Sequence, residues 1–162
     1  MVRPVRDFEL GLGRAIRFYG LRNWGGFTLP PADRQQDASV SQFRALSSYW
    51  ELFVPRVARL NGWSRLPAVR VFDFHQDGTP HMHAVFGGSA DWADIRVAWA
   101  EVTGNETFWN RRGQEDGRGL WLGRTHGGVA GYMARKMSLP FPAGVRRWGA
   151  TGGVCVPRRA AG

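Results

Sequence analysis

The sequence predicts an α+β fold in which helices pack on a central antiparallel β-sheet. A hairpin is indicated at residues 68–86, where the turn QDGTP separates the strand patterns AVRVFDFH and HMHAVF. Apolar residues recur at helical spacing within 43–60 and again within 92–102. Further short strand patterns follow, and this mixed order around a hairpin is typical of an α+β layer fold. We treat residues 1–162 as a single domain.

The remaining elements are assigned from local patterns. Residues 1–22 are ambiguous, because some of their apolar positions alternate as in a strand and others keep helical spacing. In chain order, the other elements are a strand with the body GFTL, a helix that NG at 61–62 ends, the hairpin, a helix capped by Ser89 or Asp91, a short strand at ETFW, the strand GLWLGRT, the helix GGVAGYMARKMS and a last strand or hairpin in VRRWGATGGVCVP. Pro55 is expected to kink the first of these helices, and residues 158–162 are expected to be frayed.

Composition narrows the class of protein. The net charge is +9, and 21 of the 22 basic residues are arginine, which binds phosphate through a planar fork. This excess fits a polyanionic partner such as nucleic acid, although a solvated surface from a GC-rich genome explains it equally well. The chain lacks an apolar run that would span a membrane and the apolar core of a signal peptide, and Cys155 is its one cysteine. We therefore expect a cytoplasmic protein without disulfides or membrane partners.

The hairpin predicts two chemically different faces. If His75 and His81 flank the turn, Asp73 faces His83 across the strands. One face then carries Phe72, Phe74, Met82, Ala84 and Phe86, and the other carries Asp73, His75, His81 and His83. The first is a core face, and the second holds every polar ligand type in the segment.

The polar face of the hairpin is a candidate metal site. Cross-strand neighbours lie about 4.5–5.5 Å apart between Cβ atoms, which lets Asp73, His81 and His83 converge on one divalent ion. His75 is a further candidate ligand at the edge of the turn. The alternative interpretation is that these are ordinary polar residues on a solvated face. A structural zinc site is less compatible with the sequence, since such sites usually use four ligands and often cysteine.

Three segments resemble the HUH endonucleases, and most closely the rolling-circle replication initiators of phages and plasmids. VFDFHQDGTPHMHAVF at 71–86 is similar to the family's second motif, histidine–hydrophobe–histidine on a strand after a glycine turn. GFTLP at 26–30 is similar to the first motif, and GVAGYMARKMS at 128–138 to the third, where a helix carries a nucleophilic tyrosine. The order and spacing agree over roughly residues 25 to 150. The resemblance implies an RRM-like sheet as the core of the fold.

The resemblance implies that Tyr132 is the nucleophile. The family usually has lysine three residues after the tyrosine, whereas here Arg135 stands at that place and Lys136 follows it. Either cation is a candidate to neutralise the transferring phosphate. No second tyrosine lies nearby, as in the family's single-tyrosine group. On its own terms the helix is also compatible with a core tyrosine; Tyr19 is the alternative nucleophile.

The implied activity is metal-dependent nicking and rejoining of single-stranded DNA through a 5′-phosphotyrosine intermediate. The implied cofactor is Mg²⁺ or Mn²⁺, and the implied substrate is an origin, expected as a hairpin, in a prokaryotic host cell. The chain has no room for a helicase, so replication would require a separate one. Alternatives are a relaxase or single-strand transposase of the HUH class, a non-catalytic basic nucleic-acid-binding module, and a metal-dependent hydrolase of a small substrate.

Overall fold

In this computed structural model the chain forms one antiparallel sheet with helices on both faces. The structure describes residues 3–30, 33, 39–75, 78–104 and 120–156. The elements within these ranges are α1 (Arg3–Phe18), β1 (Asn23–Thr28), α2 (Ser39–Leu60), β2 (Ala68–Phe74), β3 (Pro80–Phe86), α3 (Trp92–Thr103), β4 (Leu120–Arg124), α4 (Val129–Lys136) and β5 (Trp148–Thr151). The predicted α+β class with an antiparallel sheet is therefore confirmed.

The sheet places the second strand of the hairpin at its centre. The strand order is β4-β1-β3-β2-β5, and every neighbouring pair is antiparallel. β3 is consequently flanked by β1 on one side and by β2 on the other, so a side chain on β3 has cross-strand neighbours from both. This position gives the histidines of β3 two sets of partners.

Each face of the sheet has its own hydrophobic core. On one face, aromatic residues of α2 and α3 pack against the alternate residues of the hairpin that were predicted as a core face, and Phe53 and Trp99 are fully buried there. On the other face, α1 and α4 cover Val69, Val71 and Val85. The alternation of β2 and β3 thus serves two cores rather than one core and a solvated surface.

The structure decides three points that the sequence left open. The ambiguous N-terminal segment is a helix, α1, whose Leu12 is fully buried in the second core. The helix α2 runs through Pro55 to Leu60. Of the two candidate caps of α3, Asp91 is the one used, because its Oδ1 accepts a hydrogen bond of 2.7 Å from the backbone N–H of Ala93.

The predicted register of the hairpin is wrong by two positions. Asp73 pairs with His81, not with His83. The two strands stay paired one residue further toward the turn than predicted, because the N–H of His75 donates to the carbonyl of Thr79 at 2.8 Å. Gly78 has a φ of 82°, a left-handed conformation that glycine adopts without strain. A shift of two keeps every side chain on its predicted face, so the two faces are as predicted although the pairs are not.

Some predictions fall on parts of the chain that are not described. The strand expected at ETFW lies within 105–119, and the frayed tail lies within 157–162, both outside the described residues. Among the helices that the structure describes, none combines the length and the apolar character that crossing a membrane requires.

Candidate active site

The candidate ligands lie in the interior, beneath α4. Asp73, His81 and His83 are exposed to only 2%, 4% and 3%. The alternative in which they are ordinary polar residues on a solvated face is therefore wrong. Burying a polar group is unfavourable unless it finds a hydrogen-bond or charge partner. The contacts of these three side chains therefore show what the site can do chemically.

The sheet register brings the polar residues into two adjacent rows. In one row, His81 of β3 lies between Thr28 of β1 and Asp73 of β2. In the next row, His83 lies beside Gly26 of β1. The imidazole rings of His81 and His83 are 4.4 Å apart between centroids. The GFTLP segment is thereby part of the site.

Thr28 joins two of the histidines. Its Oγ1 lies 3.0 Å from Nδ1 of His81 and 3.0 Å from Nε2 of His75. Since one hydroxyl has a single proton, Thr28 donates to one ring and accepts from the other, in an order set by the histidine tautomers. His75 is half-buried, and its ring centroid is 4.0 Å from that of His81. Sequence reasoning did not assign Thr28 a role; its place inside GFTLP is the signal that could have done so.

The tyrosine implied as nucleophile reaches this cluster. The hydroxyl of Tyr132, on α4, is 3.3 Å from Nε2 of His83, and the two rings meet edge to face at a centroid distance of 5.0 Å. Tyr132 is half-buried and packs against the second core as well as against His83. Its phenol therefore lies at the boundary between the buried polar cluster and the surface.

The other two tyrosines are engaged elsewhere. The hydroxyl of Tyr19, the alternative nucleophile, accepts a hydrogen bond of 3.1 Å from the backbone N–H of Cys155. The hydroxyl of Tyr49 donates to Asp33 at 2.5 Å, and burial together with this bond raises the pKa of Tyr49 to about 12. His126, expected as a loop histidine, is exposed just before α4.

The two candidate cations on α4 occupy different environments. The ammonium of Lys136 is 2.7 Å from Oδ2 of Asp73 and 5.2 Å from the centroid of the Tyr132 ring. Arg135, one residue earlier, is exposed. Because successive residues of a helix point about 100° apart, only one of them faces the sheet. The lysine that seemed displaced from the family's position is the one directed into the cluster.

The electrostatics of the cluster favour neutral imidazoles beside an ionised carboxylate. Burial lowers the pKa of His83, and Asp73 only partly offsets this effect. Burial also lowers the pKa of His81, and the neighbouring histidines add to the shift. Burial alone would raise the pKa of Asp73, but His83, whose Nε2 is 3.8 Å from Oδ2, and the ammonium of Lys136 outweigh it and hold that pKa well below its usual range. The same pairing outweighs burial at Lys136 and raises its pKa.

Arg147 holds the C-terminal end of α4 in place. Its guanidinium donates to the carbonyls of Lys136, Met137 and Leu139, where a helix end leaves acceptors without partners. Its own carbonyl accepts a hydrogen bond of 2.8 Å from the N–H of Phe72 on β2. Arg147 thus ties the end of the tyrosine helix to the sheet, a role that sequence reasoning did not find because the contact depends on the chain returning from α4 to β5.

Glycine makes room for the rings on the β1 side. A Cβ on Gly26 would lie 2.4 Å from Nε1 of Trp121 and 2.9 Å from Nε2 of His81. Such distances are too short for real atoms, so a side chain at this position would displace the indole or the imidazole. Gly26 is therefore a requirement of the site, and the sequence signal was the glycine pair before the FTLP segment.

The protonation states of these side chains suit a divalent ion, but the side chains are not arranged as a metal site in this structure. Neutral imidazoles and an ionised carboxylate are the forms that bind metal, and Nδ1 of His83 is buried without a hydrogen-bond partner in the described part of the chain. Among the described residues, however, no three His, Cys, Asp or Glu side chains are grouped as a metal site. Asp73 is instead paired with Lys136. A metal held by Asp73, His81 and His83 would require this ion pair to open.

Comparisons with protein-family models, with curated proteins and with solved structures returned no match for this chain. Its relation to the HUH endonucleases thus stays a resemblance of three motifs.

Proposed function

We propose that this protein cleaves and rejoins single-stranded DNA through a covalent link to Tyr132, and that it initiates rolling-circle replication. The observation that carries the proposal is the contact of the Tyr132 hydroxyl with Nε2 of His83, next to the ion pair of Lys136 with Asp73. A half-buried phenol beside a neutral imidazole and an ammonium is suited to nucleophilic attack on a phosphate. All four residues lie within the second and third of the motifs that resemble those of the HUH endonucleases.

The residues of this chain account for the proton and the charge. A phenol with an ordinary pKa near 10 is a weak nucleophile at neutral pH and needs a base. In this arrangement the hydroxyl of Tyr132 contacts Nε2 of His83. Because His83 must stay neutral to serve as a metal ligand, the phenolic proton would pass on to solvent water. Lys136, close to the ring of Tyr132, stabilises negative charge on the phenolic oxygen and on the phosphate.

The proposed step keeps the energy of the phosphodiester bond in the covalent intermediate. The phenolic oxygen forms a bond to phosphorus while the bond to the 3′ oxygen breaks, which leaves a 5′-phosphotyrosine and a free 3′-OH. Attack by a later 3′-OH on the same phosphorus reverses the step and restores Tyr132. One tyrosine therefore suffices for nicking and rejoining, as in the single-tyrosine group that the motif resembles.

A divalent ion belongs to the proposal as a resident cofactor. Mg²⁺ or Mn²⁺, held by His81 and His83 with Asp73 or His75, would polarise the scissile phosphate when bound. The chain's own contribution is to keep both imidazoles neutral and ready as ligands. Since Asp73 is engaged by Lys136, His75 remains a candidate for the third place.

The net charge of +9 supports a polyanionic substrate. A separate helicase in a prokaryotic cell would supply the unwound strand during replication. A relaxase or a single-strand transposase would use the same site, and the DNA sequence that is cleaved would distinguish them.

Incubation of the protein with end-labelled single-stranded DNA and Mn²⁺, followed by denaturing electrophoresis, tests the proposal. We expect a covalent protein–DNA adduct with the wild type and with Tyr19→Phe, and none with Tyr132→Phe. Tyr19→Phe is the matched control, because it removes a phenol that lies outside the cluster.

Other outcomes separate the alternatives. An adduct that survives Tyr132→Phe would reject the assignment of the nucleophile. Salt-sensitive DNA binding without any adduct would favour the non-catalytic module. Replacing His81 and His83 with alanine should abolish the nicking that depends on Mn²⁺. Undiminished nicking by this variant would reject the two histidines as ligands.

A further inference from the structure

One tryptophan beside the polar cluster lies outside both hydrophobic cores that the structure describes. Trp121, on the edge strand β4, is partly exposed and, among the described residues, belongs to neither core. Tryptophan has a large apolar surface, and most of it is normally packed. A partly exposed indole outside the described cores, next to a candidate active site, therefore needs another explanation.

The indole of Trp121 is directed across the sheet toward the catalytic residues. Trp121 pairs with Gly26 on β1, and Gly26 pairs with His83 on β3, so the three lie in one row on one face. Its Nε1 is the atom nearest to Gly26, and the far end of its ring approaches Gly123. The ring consequently lies low over Gly26 and Gly123.

The ring of Trp24 packs against this indole. Trp24 meets Trp121 edge to face at a centroid distance of 4.3 Å. Trp24 also contacts the ring of Tyr132 at 5.7 Å and that of His126 at 5.9 Å. An aromatic wall of Trp24, Trp121 and His126 therefore runs from the proposed nucleophile to the β4 edge.

We propose that Trp121 stacks with one base of single-stranded DNA whose adjoining phosphate lies at Tyr132. Base–aromatic stacking does not depend on sequence, since every base has a π face. The excess positive charge of the chain suits the backbone that would carry this base. The inference rests on the proposed function, because Tyr132 sets where the phosphate lies.

The test measures binding apart from chemistry. All proteins carry Tyr132→Phe, the buffer contains a chelator, and the probes are a short fluorescent oligothymidylate and the matching oligomer of abasic sites. Trp121→Ala is expected to weaken binding of oligothymidylate about 5- to 150-fold, the range for loss of one stacked base. Binding of the abasic oligomer should not change.

The controls separate stacking from damage to the fold. Trp63→Ala removes a tryptophan that is 41% exposed and packs against Gly87 at the other end of β3, and it should leave both affinities unchanged. Trp121→Phe should retain most of the affinity, and Trp121→Leu, which lacks a ring, should lose as much as Trp121→Ala. If Trp121→Ala does not fold, the Phe and Leu variants decide the matter.

Failure of the inference is distinguishable from failure of the proposed function. Equal losses for both probes, or equal affinity of the Phe and Leu variants for oligothymidylate, would overturn stacking while leaving adduct formation by the wild type untouched. Conversely, base-dependent binding through Trp121 in a protein that forms no adduct would uphold stacking and reject the nuclease.

Discussion

The two faces of the sheet are both buried, but they differ in the kind of side chain that they bury. The face under α2 and α3 is aromatic, with Phe27, Phe53 and Trp99 in mutual edge-to-face contact. The face under α1 and α4 is aliphatic at one end and holds Asp73, His81 and His83 at the other. The first face stabilises the fold through apolar burial, whereas the second keeps ionisable groups away from water and close to Tyr132.

One hairpin therefore contributes to an apolar core on one face and to the buried polar cluster on the other. Alternate residues of β2 and β3 enter opposite cores, so a change on one face need not disturb the other. Polar residues are tolerated in the second core because each has partners: Thr28 for His81, Tyr132 for His83, and Lys136 for Asp73. The comparison predicts that mutations on the two faces will separate stability from activity.

The largest expected effect is a loss of stability from the aromatic face. Phe53→Ala should lower the free energy of unfolding by about 3–5 kcal/mol, because Phe53 is fully buried among aromatic rings and its removal leaves a cavity. Denaturant unfolding measures this change. Below the melting temperature the yield of adduct per folded molecule should equal that of the wild type, and a large drop would mean that the faces are coupled.

A smaller effect on stability with a clear effect on activity is expected at Arg147. Arg147→Ala should lower the free energy of unfolding by about 1.5–3 kcal/mol, since it removes charged hydrogen bonds to the C-terminal end of α4. Adduct formation should slow as well, because α4 carries Tyr132 and Lys136. Arg147→Lys keeps the charge without the planar fork and should recover only part of both. Unchanged nicking by Arg147→Ala would show that the contact does not position the helix.

The smallest expected changes in stability come from substitutions of two glycines on the α1/α4 side of the sheet. Gly26→Ala should cost about 1–3 kcal/mol in thermal unfolding, because the new Cβ collides with Trp121 and His81. Gly13→Ala lies within α1, where the new Cβ would be 3.8 Å from its nearest neighbours, so it should stabilise by up to about 1 kcal/mol. Only Gly26→Ala should reduce nicking. Equal effects of both changes would contradict the tight packing at β1.

Much of the fold follows from local patterns in the chain. Alternation in VFDF and HMHAVF separates the apolar from the polar side chains, and helical spacing marks α2 and α3. At the N-terminus the patterns of strand and helix overlap, so the docking of Leu12 in the second core decides for a helix. The register of the hairpin was missed because it depends on where the turn closes, which the residues QDGTP leave open by two positions.

By itself the sequence determined the composition of the candidate site: a carboxylate and histidines on one face of a hairpin, and a tyrosine with basic residues one helical turn later. These follow from periodicity, which is a property of neighbouring residues. Only the tertiary structure decided that Asp73 pairs with His81 across the strands, that Lys136 rather than Arg135 enters the cluster, and that Thr28 and Arg147 take part. The reason is physical, since such contacts join segments far apart in the chain and depend on how helices and strands dock.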